Sequence, residues 1–228
     1  DLERLVGTLS STPSPSLTWY GAHRVELSGP VLARWLAKTA NLLGGELSPG
    51  LFGGDAPASP PTIRVDLGRS WQGVVWEVAA VLSGWSSIDE GGADVCVVAD
   101  ASAAAEALAA GSAWVLAHDL APLALSWRGG ALPPGVLDAL GELMAQADAV
   151  EVDPGAVDLP EAWGRVADTR DGRRLLTVGT TPGGSHALVG TLVGLWLGGG
   201  SAVVVDTGVD GRSGPEVARI AAVERARL

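Results

Sequence analysis

Basic residues, and lysine above all, are scarce in this 228-residue sequence. Fifteen lysine and arginine residues stand against 26 aspartate and glutamate residues, which gives a formal net charge of −11 at pH 7. Lys38 is the single lysine. A nucleic-acid backbone carries a dense array of negative charges, and proteins that bind it present a basic surface. The charge balance therefore argues against a nucleic-acid partner.

Cysteine is almost absent as well. Cys96 is the one cysteine, so an intramolecular disulfide and a zinc site built from cysteines are both excluded. It lies in an apolar run, residues 95–98, which predicts a small buried side chain and not a reactive thiol.

Long uninterrupted apolar segments are also missing. The longest candidate, residues 186–205, is broken by Gly198, Gly199 and Gly200, so no membrane-spanning helix and no membrane partner are expected. The first residues show no basic stretch followed by an apolar one, which a secretion signal requires. We therefore expect a cytoplasmic protein.

What the sequence does contain is a regular alternation of apolar strands and amphipathic helices. This alternation is typical of an α/β protein with a mainly parallel sheet and helices on both faces. We predict a single α/β domain over residues 1–228, with an alternative division into two lobes, 1–50 with 174–228 and 55–170. Besides a hairpin around Gly21, strands are predicted at 63–67, 94–99, 113–117, 149–152, 174–178 and 201–206, and helices at 1–9, 30–43, 71–82, 101–110, 134–147, 185–197 and 215–227.

Three stretches, in this order, resemble the opening region of the acyl-adenylating (AMP-binding, acyl-CoA synthetase-like) superfamily. The run Arg24-Val25-Glu26-Leu27-Ser28 with residues 32–43 is similar to its first strand and Ala-Asn-bearing helix. The strand, Trp-bearing helix and Gly84 that follow are similar to its valine-rich strand and next helix. Residues 185–190 and 195–205 are similar to its His- and Gly-bearing helix and the strand after it. The sequence is similar to a short, actinobacterial-type group related to the N-terminal region of that superfamily.

The resemblance implies a fold like part of the N-terminal domain of adenylate-forming enzymes, and its departures concern catalysis. The family's phosphate loop ends in Pro-Lys-Gly, whereas no such loop precedes His186 at the expected distance, and Lys38 lies on an early helix. We also expect the family's magnesium- and ribose-binding residues and its lysine-bearing C-terminal domain to be missing. Charge on a transferring nucleotide is stabilised by fixed cations and metal. The departures therefore predict an adenylating fold without its catalytic apparatus.

A glycine-rich segment between a predicted strand and a predicted helix supplies the candidate ligand-binding residues. Free backbone N–H groups and the dipole at a helix start can hold an anion. The segment has the Gly-x-x-x-x-Gly spacing of a phosphate loop, but a serine stands where that motif has lysine. A glycine-rich turn without a ligand is the competing interpretation. The candidates are Gly179, Thr180, Thr181, Gly183, Gly184, Ser185 and His186.

Neither catalytic residues nor metal ligands are predicted. The histidines at 23, 118 and 186 are far apart in the sequence and show no metal-type spacing such as His-x-x-x-His. A structural role is the competing interpretation of His186. Most tryptophans fit core-facing patterns, while Trp127 and Trp163 lie in irregular stretches and are candidates to line a pocket.

Three functions are compatible with these features. The first is a non-catalytic remnant of the N-terminal domain of an acyl-adenylating enzyme, which binds a partner protein or an acyl- or nucleotide-like ligand and needs no cofactor. The second is an acyl-CoA synthetase- or AMP-ligase-like enzyme that another chain completes, with ATP, AMP or CoA bound weakly. The third is a structural module that forms a homodimer. The missing lysine favours the non-enzymatic interpretation.

Overall fold

Apolar strands and helices alternate along the chain as the sequence pattern predicts. The computed structural model describes residues 1–49, 59–152, 172–179, 184–209 and 212–227. The helices are α1 Leu2–Ser10, α2 Gly29–Gly44, α3 Trp71–Leu82, α4 Ala101–Ala109, α5 Ala139–Ala145, α6 Gly184–Leu197 and α7 Gly214–Val223. The strands are β1 Pro15–Tyr20, β2 Arg24–Ser28, β3 Thr62–Asp66, β4 Ser86–Ser87, β5 Val95–Val98, β6 Trp114–Ala117, β7 Val136–Asp138, β8 Arg173–Val178 and β9 Ser201–Asp206.

The strands form two sheets. The four-stranded sheet has the order β2-β1-β9-β8, and the five-stranded sheet has the order β4-β3-β5-β6-β7. The β1–β2 hairpin is antiparallel, whereas β1–β9, β8–β9 and each neighbouring pair of the five-stranded sheet are parallel. The prediction of a mainly parallel α/β fold is confirmed.

Helices cover both faces of each sheet. In β5, Val95 and Val97 pack in a cluster with α2, α3 and α5, while Cys96 and Val98 point to the other face and pack against α4. This alternation is the period of two that a strand buried on both faces requires. In the four-stranded sheet β9 likewise divides its side chains between α6 and α7. The layers therefore run α7, sheet, inner helices, sheet, α4.

The central element is α3, which is apolar on nearly all of its surface. Trp76 and Ala80 pack in the cluster of the five-stranded sheet, while Val75 and Val78 pack in the cluster of the four-stranded sheet. A helix that is apolar all round is stable only when it is buried all round. The helix begins at an N-cap where the Ser70 hydroxyl accepts a hydrogen bond from the Gly73 N–H at 3.0 Å.

Two predicted elements between residues 134 and 152 are wrong. The predicted helix 134–147 begins late, at Ala139, because Asp138 ends β7 and its carboxylate caps α5 by accepting from the Leu140 N–H at 3.0 Å. The predicted strand 149–152 is not a strand. The Asn41 side chain holds this segment instead, donating to the Ala149 carbonyl and accepting from the Glu151 N–H, both at 2.8 Å.

The division into two lobes stays a prediction. The four-stranded sheet contains strands from residues 15–28 and 173–206, and the five-stranded sheet contains those from 62–138. One hydrophobic cluster nevertheless joins α3 to the four-stranded sheet. In the part of the chain that the structure describes, no helix is long and apolar enough to cross a membrane.

The contact between α1 and α2 yields a stability prediction. A Cβ on Gly29, the first residue of α2, would overlap the carbonyl oxygens of Leu9 and Thr12, which belong to backbone that cannot move aside cheaply. We expect Gly29→Ala to lower the free energy of unfolding by about 1–3 kcal/mol in urea denaturation. Gly7→Ala is the matched control, because its Cβ meets nothing within 4 Å. The control should raise stability by about 0.5–1 kcal/mol. Equal stability of the two variants would contradict this packing.

Candidate functional site

The predicted candidate segment follows β8 in the chain, and the carboxyl ends of strands are where ligands bind in open parallel sheets. Gly179 directly follows β8. Gly184, Ser185 and His186 form the first turn of α6, but the side chains of Ser185 and His186 are outside the described structure. Thr180, Thr181 and Gly183 lie outside the described residues. Their role as ligand-binding residues stays a prediction.

An arginine from the other sheet reaches this edge. Arg69 lies between β3 and α3, and its Nε donates to the Asp206 carboxylate at 2.9 Å, while Nη1 donates to the Gly179 carbonyl at 3.4 Å. The Asp206 side chain is 4% exposed and also accepts from the Gly208 N–H at 2.8 Å. The sequence analysis missed this contact, because nothing in the sequence connects position 69 to position 206.

A second arginine is held at the same edge. Arg212 donates to the carbonyls of Tyr20 and Asp206, and to that of Gly21 at 2.7 Å. Both guanidinium groups are thus bound by acceptors of the protein itself. Within the described residues, no group of three or more histidine, cysteine or acidic side chains is arranged to hold a metal ion.

A cavity of about 400 Å³, which we call the His118 cavity, opens beside the carboxyl end of β6. Its walls come from β2, the first two turns of α2, the first turn of α3, one residue of α5 and the loop 118–125. The polar residues of its described lining are Arg24, Glu26, Gln72, His118 and Asp119, and the remaining lining residues are apolar.

Two tryptophans form the apolar wall of this cavity. Trp35 on α2 and Trp71 on α3 meet edge to face, with ring centroids 5.6 Å apart. Trp127 does not line this cavity, and its Nε1–H donates to the Gly130 carbonyl at 2.8 Å; its role in a pocket stays a prediction. Trp163 lies outside the described residues.

His118 is the most deeply buried polar residue of the described lining. It is 2% exposed, and its Nδ1 accepts a hydrogen bond from Trp76 Nε1–H at 3.2 Å. Burial lowers its pKa to about 4, against the smaller opposing influence of the negative charges of Asp119 and Asp138. The imidazole is therefore neutral at pH 7. Because Nδ1 is the acceptor, the proton is on Nε2.

The loop that follows His118 is held by an aspartate. The Asp119 carboxylate accepts hydrogen bonds from the Ala121 N–H at 2.8 Å and from the Arg128 N–H at 3.1 Å, and pairs with Arg128 Nε at 3.3 Å. Burial works to raise the pKa of Asp119, but the hydrogen bonds from Ala121 and Arg128 outweigh it and hold that pKa below its ordinary value. The loop is therefore a fixed wall of the cavity.

The Arg69–Asp206 pair predicts a stability difference. In Arg69→Ala the buried Asp206 carboxylate loses its charged donor, and a hydrogen bond to a charged group contributes about 1–3 kcal/mol. We expect a loss of that size in the free energy of unfolding. The matched control is Arg219→Ala, whose exposed pair with Glu216 at 3.5 Å should contribute less than about 0.5 kcal/mol. Similar small losses in both variants would contradict the buried pair.

His118 predicts a pH dependence of stability. The pKa of His118 is 6.5 in the unfolded chain and about 4 in the folded protein. Protonation between these values favours the unfolded state, so the free energy of unfolding falls as the pH falls from 6.5 to 4. At about 1.4 kcal/mol per pH unit, the loss approaches 3 kcal/mol. His118→Asn keeps an acceptor for Trp76 and removes the titration. The difference in unfolding free energy between wild type and variant should therefore change by about that amount between pH 7 and 4, and parallel pH profiles would contradict the assignment.

Comparison with known proteins adds a fold relationship. No family model matches the sequence. A curated Mycobacterium tuberculosis protein, named only for a numbered family, is 35% identical over 158 residues, which cover 63% of this chain and 59% of that protein. The chain thus spans less than two thirds of this relative.

Solved structures cover almost the whole chain. Acetoacetyl-CoA synthetase from Streptomyces lividans matches 99% of it with a TM-score of 0.65 and 18% identity, over 41% of its own length. An acyl-CoA synthetase from Brucella canis matches 99% with a TM-score of 0.61 and 16% identity, over 49% of its length. The N-terminal domain of FACL13 from Mycobacterium tuberculosis matches 98% with a TM-score of 0.54 and 16% identity, over 60% of its length.

These likenesses concern the fold. They lie below 25% identity, and the chain spans about two fifths to three fifths of each of these three structures. The resemblance inferred from the sequence is confirmed at that level: the chain has the fold of part of the N-terminal region of the adenylate-forming enzymes.

Proposed function

We propose that this chain is a non-catalytic module with an adenylate-forming fold, which acts by binding a ligand or a partner protein. The observation that carries the proposal is that, among the described residues, the two arginines at the carboxyl edge of the four-stranded sheet are already bound. Arg69 is paired with Asp206, and Arg212 donates to three backbone carbonyls.

The single lysine is also engaged elsewhere. Lys38 lies on α2, donates to the Gln146 carbonyl and pairs with Asp148 at 2.9 Å. The hydrogen bond that Lys38 donates to the Asp148 carboxylate lowers the pKa of Asp148. Lys38 therefore joins α2 to the segment after α5, and it takes part in no contact with Gly179 or Asp206.

Adenylation places a triphosphate, a carboxylate and magnesium in one site, so it needs uncompensated cations held in place. The backbone N–H groups at the start of α6 supply partial charge only. With a net charge of −11, the chain repels an anionic nucleotide at long range. The acidic net charge and the paired cations thus support a binding function without adenylation.

The alternative is an enzyme that another chain completes. The observation in its favour is that the similar synthetases are about twice as long as the part that this chain matches. In that case ATP, AMP or CoA would bind, and the partner would supply the missing cations.

The test is acid-dependent release of pyrophosphate from ATP, measured with acids from acetate to long-chain fatty acids. We expect no release by the isolated protein, because Arg69, Arg212 and Lys38 in the described part of the chain are already bound to protein acceptors. A thermal-shift series with ATP, AMP, CoA and acyl-CoAs, run in parallel, detects binding without turnover, since a ligand of the folded state raises the midpoint.

A bulky substitution at Gly184 is the control for this assay. Turnover by the wild-type protein that disappears in Gly184→Leu would show that the glycine-rich segment is a working nucleotide site and would reject the proposal. Turnover that appears only on addition of another chain would establish the alternative.

A further inference from the structure

We propose that the His118 cavity binds a small, uncharged, apolar molecule with one hydrogen-bond-accepting group, such as a ketone, ester or amide, which accepts from His118 Nε2–H. This inference rests on the proposed binding function and names the class of ligand. It concerns a different place from the glycine-rich segment, since the cavity lies beside β6 and not after β8.

The size and lining of the cavity fit such a molecule. Ligand sites are mostly apolar concavities of about 300–1,000 Å³ with a few placed polar groups, and this cavity measures about 400 Å³. Trp35 and Trp71 offer flat aromatic surface on one side, and Ala124 and Leu140 are small or aliphatic residues of the remaining lining. The volume favours a molecule of one or two rings.

The buried histidine provides one donor of fixed direction. Trp76 Nε1–H holds Nδ1 as the acceptor, so Nε2 carries the proton, and among the described residues none accepts it. His118 lines the cavity, so a hydrogen-bond acceptor bound there can reach this donor. A carbonyl oxygen in the cavity would satisfy it.

The charges around the cavity select against an anion. Arg24 is paired with Glu26 at 2.6 Å and with Glu224 at 2.9 Å, so its charge is compensated. Asp119 lies in the lining, and Asp138 acts electrostatically on the same histidine. A carboxylate here would lose its hydration and face acidic groups without gaining a free cation. An uncharged acceptor avoids both costs.

The mouth of the cavity carries exposed leucines. Leu123 is 97% exposed and Leu125 is 65% exposed. Leu123 also has φ +59°, a left-handed conformation that a bulky residue rarely adopts. Apolar side chains held in water beside an apolar cavity are positioned to cover a molecule inside it.

The experiment compares two naphthalene probes of similar size at pH 7.5. 2-Acetylnaphthalene carries a neutral acceptor, and 2-naphthoate carries a charged one. Binding is followed through the indole N–H resonances of Trp35 and Trp71 in NMR titrations. We expect the ketone to bind at least tenfold more tightly than the carboxylate and to shift both resonances.

Substitutions at His118 test the hydrogen bond. His118→Asn keeps an acceptor for Trp76 but has no donor at the position of Nε2, so the ketone should bind about three- to tenfold more weakly. His118→Gln places an amide donor near the position of Nε2 and should retain most of the affinity. Ala124→Phe fills the cavity and should abolish binding, while Ala110→Phe at the end of α4, on the opposite face of the sheet, should not change it.

Several outcomes would overturn the inference. These are absence of ketone binding up to its solubility, naphthoate binding as tight as the ketone, or equal affinity in wild type, His118→Asn and Ala124→Phe. Pyrophosphate release is a separate readout. A positive result there would reject the non-catalytic function and leave the probe result standing, whereas failure of the probes leaves the non-catalytic function intact.

Discussion

The architecture depends on the burial of α3 between two sheets. Because this helix is apolar nearly all round, each sheet finds an apolar surface on it, and neither sheet can cover it alone. Burial of apolar side chains is the dominant favourable contribution to folding, at about 25 cal/mol per Å² removed from water. This burial fixes the first turn of α3, which carries Trp71 and Gln72 into the lining of the His118 cavity. Arg69, just before that turn, reaches Asp206 at the carboxyl edge of the four-stranded sheet.

Because acidic residues outnumber basic ones, several of the basic side chains join parts of the fold through ion pairs and hydrogen bonds. Arg69 joins the edges of the two sheets, Arg212 holds three carbonyls, and Lys38 joins α2 to the segment after α5. Arg173 connects β8 to Glu224 at 2.8 Å, and the same carboxylate accepts from the Tyr20 hydroxyl at 2.6 Å. A basic side chain in such a pair is a poor candidate for a phosphate ligand, because a carboxylate of the protein already compensates its positive charge. The charge balance thus links the stability of this fold to its proposed lack of nucleotide chemistry.

The sequence predicted most of the fold because buried parallel strands and their helices leave a strong periodic pattern. It missed β7 because three residues are too few to show a period, and because the cap at Asp138 resembles any acidic residue of a helix. It missed the cavity for a different reason: β2, α3 and the loop at His118 are distant in the chain, and only the sheet order brings them together. The sequence analysis gave His118 no role of its own for that same reason, since its partner Trp76 is 42 residues away in the sequence. The glycine-rich segment stays a prediction.

The pairing of β1 with β9 imposes an order on folding during synthesis. The five-stranded sheet comes from one continuous stretch, residues 62–138, and can form as soon as that stretch leaves the ribosome. Residues 17–20 pair with residues 202–205, which are synthesised after the whole of the five-stranded sheet. Until then one side of α3 has no sheet to cover it and exposes apolar surface, a state that is prone to aggregation and that chaperones recognise. The nascent chain is therefore most vulnerable in the interval between the synthesis of α3 and the arrival of β9.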